Sequence, residues 1–80
     1  MNLKVLLFGI AKDIAGHNEI AFDIEKPITV KQFKEALQEQ YPDLESLAHF
    51  AVAVNQEFAS ESQVIKGTDE IALLPPVSGG

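Results

Sequence analysis

Residues 3–10 read Leu3-Lys4-Val5-Leu6-Leu7-Phe8-Gly9-Ile10, and they are the most informative stretch of the chain about its fold. Large aliphatic side chains occupy both alternating sets of positions, which is typical of a strand that is covered on at least one face. The stretch is too short to span a bilayer, and it lacks the basic segment and the cleavage site of a signal peptide. It therefore predicts a buried strand in the middle of a sheet.

The next stretch of the chain predicts a partner for this strand. Turn-forming residues occupy positions 11–18, and then Ile20, Phe22 and Ile24 alternate with smaller or charged side chains. Such alternation indicates an amphipathic strand with one buried face. We expect the two strands to pair as a hairpin.

A helix is predicted after Pro27. Thr29 and Gln32 have the spacing of a capping box, in which each side chain satisfies the backbone N–H of the other residue. The helix should begin near Val30 and stop before Pro42, and its apolar stripe consists of Val30, Phe33, Leu37 and Tyr41. Leu44 and Leu47 fit either a second, short helix capped by Asp43 or an irregular loop.

Two more strands complete the predicted domain. Residues 50–55 form a second buried-strand candidate, and residues 70–74 follow a turn signal at 66–69. The order is strand, strand, helix, strand, strand. A helix across one face of a small mixed sheet would bury all the apolar stripes, which makes the fold class α+β. The β-grasp arrangement fits this order, as do other small α+β folds. We expect a domain at residues 1–74 and an extended tail at residues 75–80.

The tail presents the carboxyl group of Gly80. Pro75 and Pro76 cannot donate to a sheet ladder, so they end the last strand, and Val77 and Ser78 continue the chain outward. Gly79 and Gly80 have no β-carbon, so another protein or a nucleotide could approach the carboxylate closely. A carboxylate is a poor acyl donor. Adenylation by a partner that uses ATP would supply a leaving group, after which a sulfur or nitrogen nucleophile could attack.

Composition limits the functions that the domain can have. The 80 residues contain 12 acidic residues against 6 lysines, a net charge of −6, which disfavours nucleic acid and anionic membranes as partners. There is no cysteine, and the chain fits a cytoplasmic protein. His17 and His49 have no matching ligand cluster, so we predict no metal site. We also predict no catalytic site within the chain itself.

The C-terminal sequence carries a family resemblance. Residues 69–80, Asp-Glu-Ile-Ala-Leu-Leu-Pro-Pro-Val-Ser-Gly-Gly, closely resemble the ending of the MoaD family, the small sulfur-carrier subunits of molybdopterin synthase. The resemblance extends to residues 5–9 with the following Gly16, and to residues 53–56. It therefore covers both ends and the interior of the domain, while the helix matches only in its pattern.

This resemblance implies a β-grasp, ubiquitin-like fold and a role for Gly80. An E1-like adenylyltransferase would adenylate Gly80 with ATP, and a sulfur donor system would convert the adenylate to a thiocarboxylate. The tail would then enter the large, catalytic subunit of molybdopterin synthase and pass sulfur to cyclic pyranopterin monophosphate, twice for each molybdopterin. The chain would be a non-catalytic subunit of a heterotetramer and would bind no cofactor.

The same resemblance suggests where the partner docks, and it leaves other functions open. We expect Phe8, Leu73 and Leu74 to contribute to docking, although the family often has aromatic residues where this chain has Leu73-Leu74. A ubiquitin-like modifier would use Gly80 to form an isopeptide bond with a lysine. A sulfur carrier for thiamine thiazole synthesis would share the fold and the glycine tail, and a passive binding module would not need the glycines.

Overall fold

The computed structural model describes residues 2–43 and 49–75 of the chain. The region of Leu44 and Leu47, for which the sequence left a helix and a loop open, lies outside the described residues. The described elements are, in chain order, β1 Asn2–Leu7, α1 Ile10–Ala15, β2 Glu19–Asp23, β3 Ile28–Thr29, α2 Val30–Gln40, β4 Ala51–Val54, β5 Glu57–Phe58, β6 Val64–Ile65 and β7 Glu70–Leu74.

The main sheet has five strands in the order β2-β1-β7-β4-β5. β1 and β2 form the predicted antiparallel hairpin, with Val5 opposite Ile20. β1 also pairs in parallel with β7, and β7 pairs antiparallel with β4. The first strand is therefore an interior strand, as its apolar sequence predicts, but β7 is the strand at the centre.

The helix α2 begins with the predicted capping box. The Thr29 N–H donates to Gln32 Oε1 at 2.9 Å, and the Gln32 N–H donates to Thr29 Oγ1 at 3.2 Å. The first two N–H groups of the helix, those of Val30 and Lys31, donate to the carbonyl oxygens of Gln63 and Glu61. The loop before β6 thus supplies acceptors that a helix start cannot find within itself. The helix ends at Gln40, shortly before Pro42, as predicted.

The core lies between α2 and one face of the main sheet. Phe33 is completely buried, and its ring meets that of Phe22 edge to face, with 5.3 Å between centroids and 76° between planes. Such a pair contributes about 0.5–1.5 kcal/mol beyond the burial of its area. The other buried members of the core cluster are Leu3, Val5, Leu7, Ala11, Ile24, Val30, Leu37, Phe50, Val52, Val54, Ile65, Ile71 and Leu73.

The structure contains four short elements that the sequence pattern does not predict. α1 occupies part of the stretch expected to be a turn. Its apolar residues Ile10, Ala11, Ile14 and Ala15 have helical spacing, but the helix has only six residues and only its Ala11 is buried. It ends at Gly16, whose φ of 77° is the left-handed conformation common at helix ends. β3 and β6 pair with each other as a separate two-stranded sheet, and β5 extends the main sheet by two residues.

The mixed sheet with α2 across one face confirms the α+β class and the β-grasp fold. Within residues 2–43 and 49–75, no helix has the length and apolar character needed to cross a membrane.

Candidate functional site

The last strand delivers the chain to the tail from the centre of the sheet. Leu73 of β7 lies between Leu7 of β1 and Val52 of β4, and Leu74 lies opposite Ala51. Because β7 has a neighbour on each side, its end is fixed relative to the rest of the domain. Pro75 follows directly and is the last described residue. Residues 76–80, with the predicted sulfur-carrying Gly80, lie outside the described residues, so their roles remain predictions.

The start of β7 is fixed by a hydrogen-bonded clasp between two turns. The side-chain amide of Asn55 donates to Asp69 Oδ1 at 2.9 Å and accepts from the Glu70 N–H at 3.0 Å. The second carboxylate oxygen of Asp69 accepts from the Lys66 N–H at 2.8 Å. We call these four residues the Asn55 clasp. It joins the β4–β5 turn to the loop that leads into β7.

The Asn55 clasp accompanies a left-handed backbone conformation at Asn55 and Gln56, and it favours the ionised form of Asp69. Asn55 and Gln56 have φ angles of 53° and 72°, as expected for the two central residues of a tight hairpin turn, and asparagine tolerates this region better than most residues. The backbone N–H of Lys66 and the side chain of Asn55 hold the pKa of Asp69 below its usual value, and the nearby Lys66 charge acts in the same direction. The ionised carboxylate is therefore the form that supports the clasp.

Part of the face of the main sheet opposite the core is apolar, and the neighbouring row of Lys4 and Glu70 on the same face is charged. Register places Leu6, Ala72, Ala53 and Phe58 in one row across β1, β7, β4 and β5, and Leu74 beside Ala51 in the next row. None of these six side chains belongs to the core cluster. We call them the outer face. Towards β2 the surface becomes polar, where Lys4 Nζ lies 3.7 Å from Glu19 Oε1.

Exposure on the outer face is concentrated at its aromatic residue. Phe58 is 77% exposed, and Phe8, just after the end of β1, is 45% exposed. Exposed aromatic side chains beside an apolar sheet face, with charged residues at its margin, are candidates for a site of protein association. The sequence reasoning missed Phe58. A signal was available, because Asn55-Gln56 marks a hairpin turn and Phe58 then falls opposite Ala53.

The structure divides the three predicted docking residues. Phe8 is exposed and Leu74 is half-buried on the outer face, so both can reach a partner. Leu73 is completely buried, and including it was wrong. Successive residues of a strand point to opposite faces, and Leu73 shares its face with the core residue Ile71.

The histidines do not combine into a site. His17 and His49 are both exposed, and in the described part of the chain no three His, Asp or Glu side chains are grouped as a metal ion would require.

Comparison with known proteins extends over almost the entire chain. The ThiS family model matches residues 5–80. The molybdopterin synthase sulfur carrier subunit of Dictyostelium discoideum is 40% identical over 96% of this chain and 94% of its own length. The corresponding subunit of Arabidopsis thaliana is 31% identical over 100% of this chain and 84% of its own length.

Two solved structures share the fold. The small archaeal modifier protein 1 of Haloferax volcanii superposes with a TM-score of 0.82 at 31% identity, with complete coverage of both chains. A chain from the complex of subunits 1 and 2 of the molybdopterin-converting factor of Helicobacter pylori superposes with a TM-score of 0.68 at 30% identity, again with complete coverage. By fold and by the match of the family model to residues 5–80, this chain belongs to the ThiS family, and molybdopterin synthase sulfur carrier subunits are among its full-length relatives.

Proposed function

We propose that this chain is the sulfur carrier of molybdenum cofactor synthesis and that Gly80 is the residue that carries the sulfur. The observation that carries the proposal is the full-length similarity to molybdopterin synthase sulfur carrier subunits. The family match runs to residue 80, so it includes the terminal glycine pair. The fold supports it, because β7 delivers the chain to the tail from the centre of a sheet that is fixed on both sides.

The chemistry begins at the Gly80 carboxylate. One carboxylate oxygen attacks the α-phosphorus of ATP on an E1-like adenylyltransferase, and pyrophosphate leaves. Hydrosulfide supplied by a donor system then attacks the acyl carbon, AMP departs with the bonding electron pair, and the S–H proton is lost to solvent. The product is a thiocarboxylate, in which one sulfur replaces one oxygen. This chain supplies the acyl group, and its partners supply the catalytic residues.

Sulfur transfer takes place in the large subunit. The thiocarboxylate sulfur bonds to a carbon of cyclic pyranopterin monophosphate and displaces an oxygen substituent, which departs with the bonding electron pair. Water then cleaves the acyl–sulfur bond of the resulting thioester, which leaves the sulfur on the pterin and returns Gly80 to a carboxylate. Two such rounds supply the two sulfurs of the dithiolene. We place this reaction in the cytoplasm, in a heterotetramer of two small and two large subunits.

The outer face is the docking surface that we assign to the large subunit. Phe58, Leu74 and Leu6 are its large apolar side chains, and Phe8 adds a second exposed ring just after the end of β1. A molybdopterin-converting factor complex of two subunits includes a chain of this fold, which supports a partner of this kind. An apolar centre with charged residues at its margin is the usual anatomy of a specific interface.

Intact-mass spectrometry tests the proposal. The chain is incubated with its adenylyltransferase, ATP and a sulfur donor, and we expect the mass increase of one oxygen replaced by one sulfur, located at Gly80 by fragmentation. A variant that lacks Gly80 should fold normally and show no increase. A wild-type chain whose mass stays unchanged would remove the proposal.

A second function is favoured by a specific likeness. The small archaeal modifier protein 1 covers this chain completely at a TM-score of 0.82, and a modifier would use the same activated Gly80. In that case a lysine amine, instead of sulfur, attacks the acyl adenylate or a thioester derived from it. Branched peptides that carry the C-terminal residues of this chain would support modification.

Two other functions, a sulfur carrier for thiamine thiazole synthesis and a passive binding module, are distinguished by the protein that co-purifies and by the effect of deleting the terminal glycines. Co-purification of a thiazole synthase in place of a pterin-binding large subunit would support the carrier for thiamine thiazole synthesis. A passive binding module would keep its function after deletion of Gly79 and Gly80.

A further inference from the structure

Gly9 touches the base of the tail. It lies between β1 and α1 with a φ of 57° and a ψ of −132°, a conformation that side-chain-bearing L-residues rarely adopt. A β-carbon on Gly9 would lie 2.9 Å from Cγ of Pro75 and 3.7 Å from its Cδ. The pyrrolidine ring of Pro75 therefore occupies the space that any side chain at position 9 would need.

Neither partner of this contact can give way easily. The Pro75 ring is closed onto its own backbone, so Cγ can move only through a change of ring pucker and cannot rotate aside as the end of a flexible side chain could. The strand before Pro75 is paired on both sides at Leu73, with Leu7 and Val52, and Leu74 is paired with Ala51. Relief of the overlap to ordinary contact requires a displacement of about half an ångström, and it must occur where the tail leaves the domain.

We propose that Gly9 is a positioning residue for the tail. Because position 9 has no side chain, the Pro75 ring can pack against it, and this contact sets the place and direction in which the chain leaves the sheet. This inference rests on the proposed sulfur-carrier function. Gly80 follows Pro75 by five residues, a maximum reach of about 17 Å. The outer face fixes the domain on its partner, and the Gly9–Pro75 contact then determines where the reacting carboxyl group can be delivered.

The substitution Gly9→Ala should lower the rate of reaction and leave docking unchanged. A misplacement of about 1 Å at reacting groups can cost on the order of a hundredfold, so half that displacement at the base of the tail should cost about tenfold. We expect this loss in the single-turnover rate of sulfur transfer within the complex of this chain and the large subunit. The KM for the carrier should change by less than about twofold, because the outer face is intact.

Two matched variants separate positioning from backbone strain. Gly16→Ala also places a side chain at a positive φ, of 77°, but its β-carbon would meet no atom within 4 Å. It should keep a transfer rate close to that of the wild type. Gly9→Ala should also be made in a Pro75→Ala background, where Cγ and Cδ are absent and the strained φ remains. If the contact with Pro75 causes the loss, Gly9→Ala should lower the single-turnover rate of sulfur transfer by less than about threefold in that background.

The outcomes distinguish this inference from the function on which it rests. A wild-type chain that acquires no thiocarboxylate removes the proposed function. An active wild type with an equally active Gly9→Ala variant overturns the positioning role alone, and so does a tenfold loss that persists in the Pro75→Ala background. If Gly9→Ala does not fold, the wild type still provides a test by NMR. Nuclear Overhauser contacts between the Gly9 α-protons and the Pro75 γ-protons are expected, and their absence overturns the inference.

Discussion

Replacement of Phe58 by alanine is the sharpest test of the docking surface. The Phe58 ring is 77% exposed in the isolated chain, so its removal should hardly affect folding. A phenylalanine side chain that is buried at an interface removes about 150–250 Å² from water. With about three quarters of that area available, a coefficient of about 25 cal/mol per Å² gives an upper limit of about 3–5 kcal/mol for a partner that covers the ring completely.

The expected loss of affinity is smaller than this limit. The alanine methyl group keeps part of the contact, and ordering of the ring on binding opposes its gain. We therefore expect about 2 kcal/mol, which is about a 30-fold increase in the Kd for the large subunit, measured by isothermal titration calorimetry. The free energy of unfolding in urea should stay within about 0.5 kcal/mol of the wild-type value.

Val64 offers the matched control for this prediction. It is 49% exposed and apolar, but it lies on β6 in the separate two-stranded sheet and not on the outer face. Val64→Ala should leave the Kd unchanged. A Phe58→Ala variant that binds within twofold of the wild type would refute the assignment of the outer face to the large subunit.

Two further predictions concern the strand that leads into the tail. Leu73→Ala should lower the free energy of unfolding by about 2–5 kcal/mol in urea denaturation because Leu73 is completely buried. Leu74→Ala should lower the free energy of unfolding by less and should weaken binding of the large subunit. Equal losses of stability would contradict the assignment of these leucines to opposite faces. The folded-state pKa of Asp69 lies below the unfolded value of about 3.9, so its stabilisation is present above that pH and is lost as the pH falls through the folded-state pKa. Asp69→Asn should be less stable than the wild type at pH 7 and should lose less stability between pH 5 and pH 3. If the stability of the variant falls as steeply with pH as that of the wild type, Asp69 does not cause the loss of stability at low pH.

The predicted helix and strands were those with enough residues to show a period. The capping box of α2 predicts its start and Pro42 predicts its end, and the alternation in β2 predicts its pairing with β1. The strands β3, β5 and β6 have two residues each, which is too few for any alternation to appear. They form because neighbouring segments supply hydrogen-bond partners, as Ile65 does for Ile28.

The errors at the candidate site have a similar physical origin. In the sequence, Leu73 and Leu74 look equally available for docking. Leu73 lies two residues after Ile71 in the strand, so it shares the buried face with Ile71. The hairpin turn at Asn55-Gln56 could have placed Phe58 opposite Ala53, but the rest of its row on the outer face is assembled from strands distant in sequence. The contact of Gly9 with Pro75 joins residues 66 positions apart, and no local pattern reports such a contact. By contrast, the prediction for Gly80 depends on family resemblance and on the chemistry of a free carboxylate.

The central claim is that sulfur reaches the pterin from Gly80 of this chain. Its most direct test is a single-turnover reaction in which the chain, loaded with ³⁵S at its C-terminus, is mixed with the large subunit and cyclic pyranopterin monophosphate. We predict that the label leaves the chain and appears in the dithiolene of molybdopterin while Gly80 returns to a carboxylate. Label that stays on the chain, that is released as sulfide while Gly80 becomes linked to lysine, or that passes to a thiazole product would contradict the account.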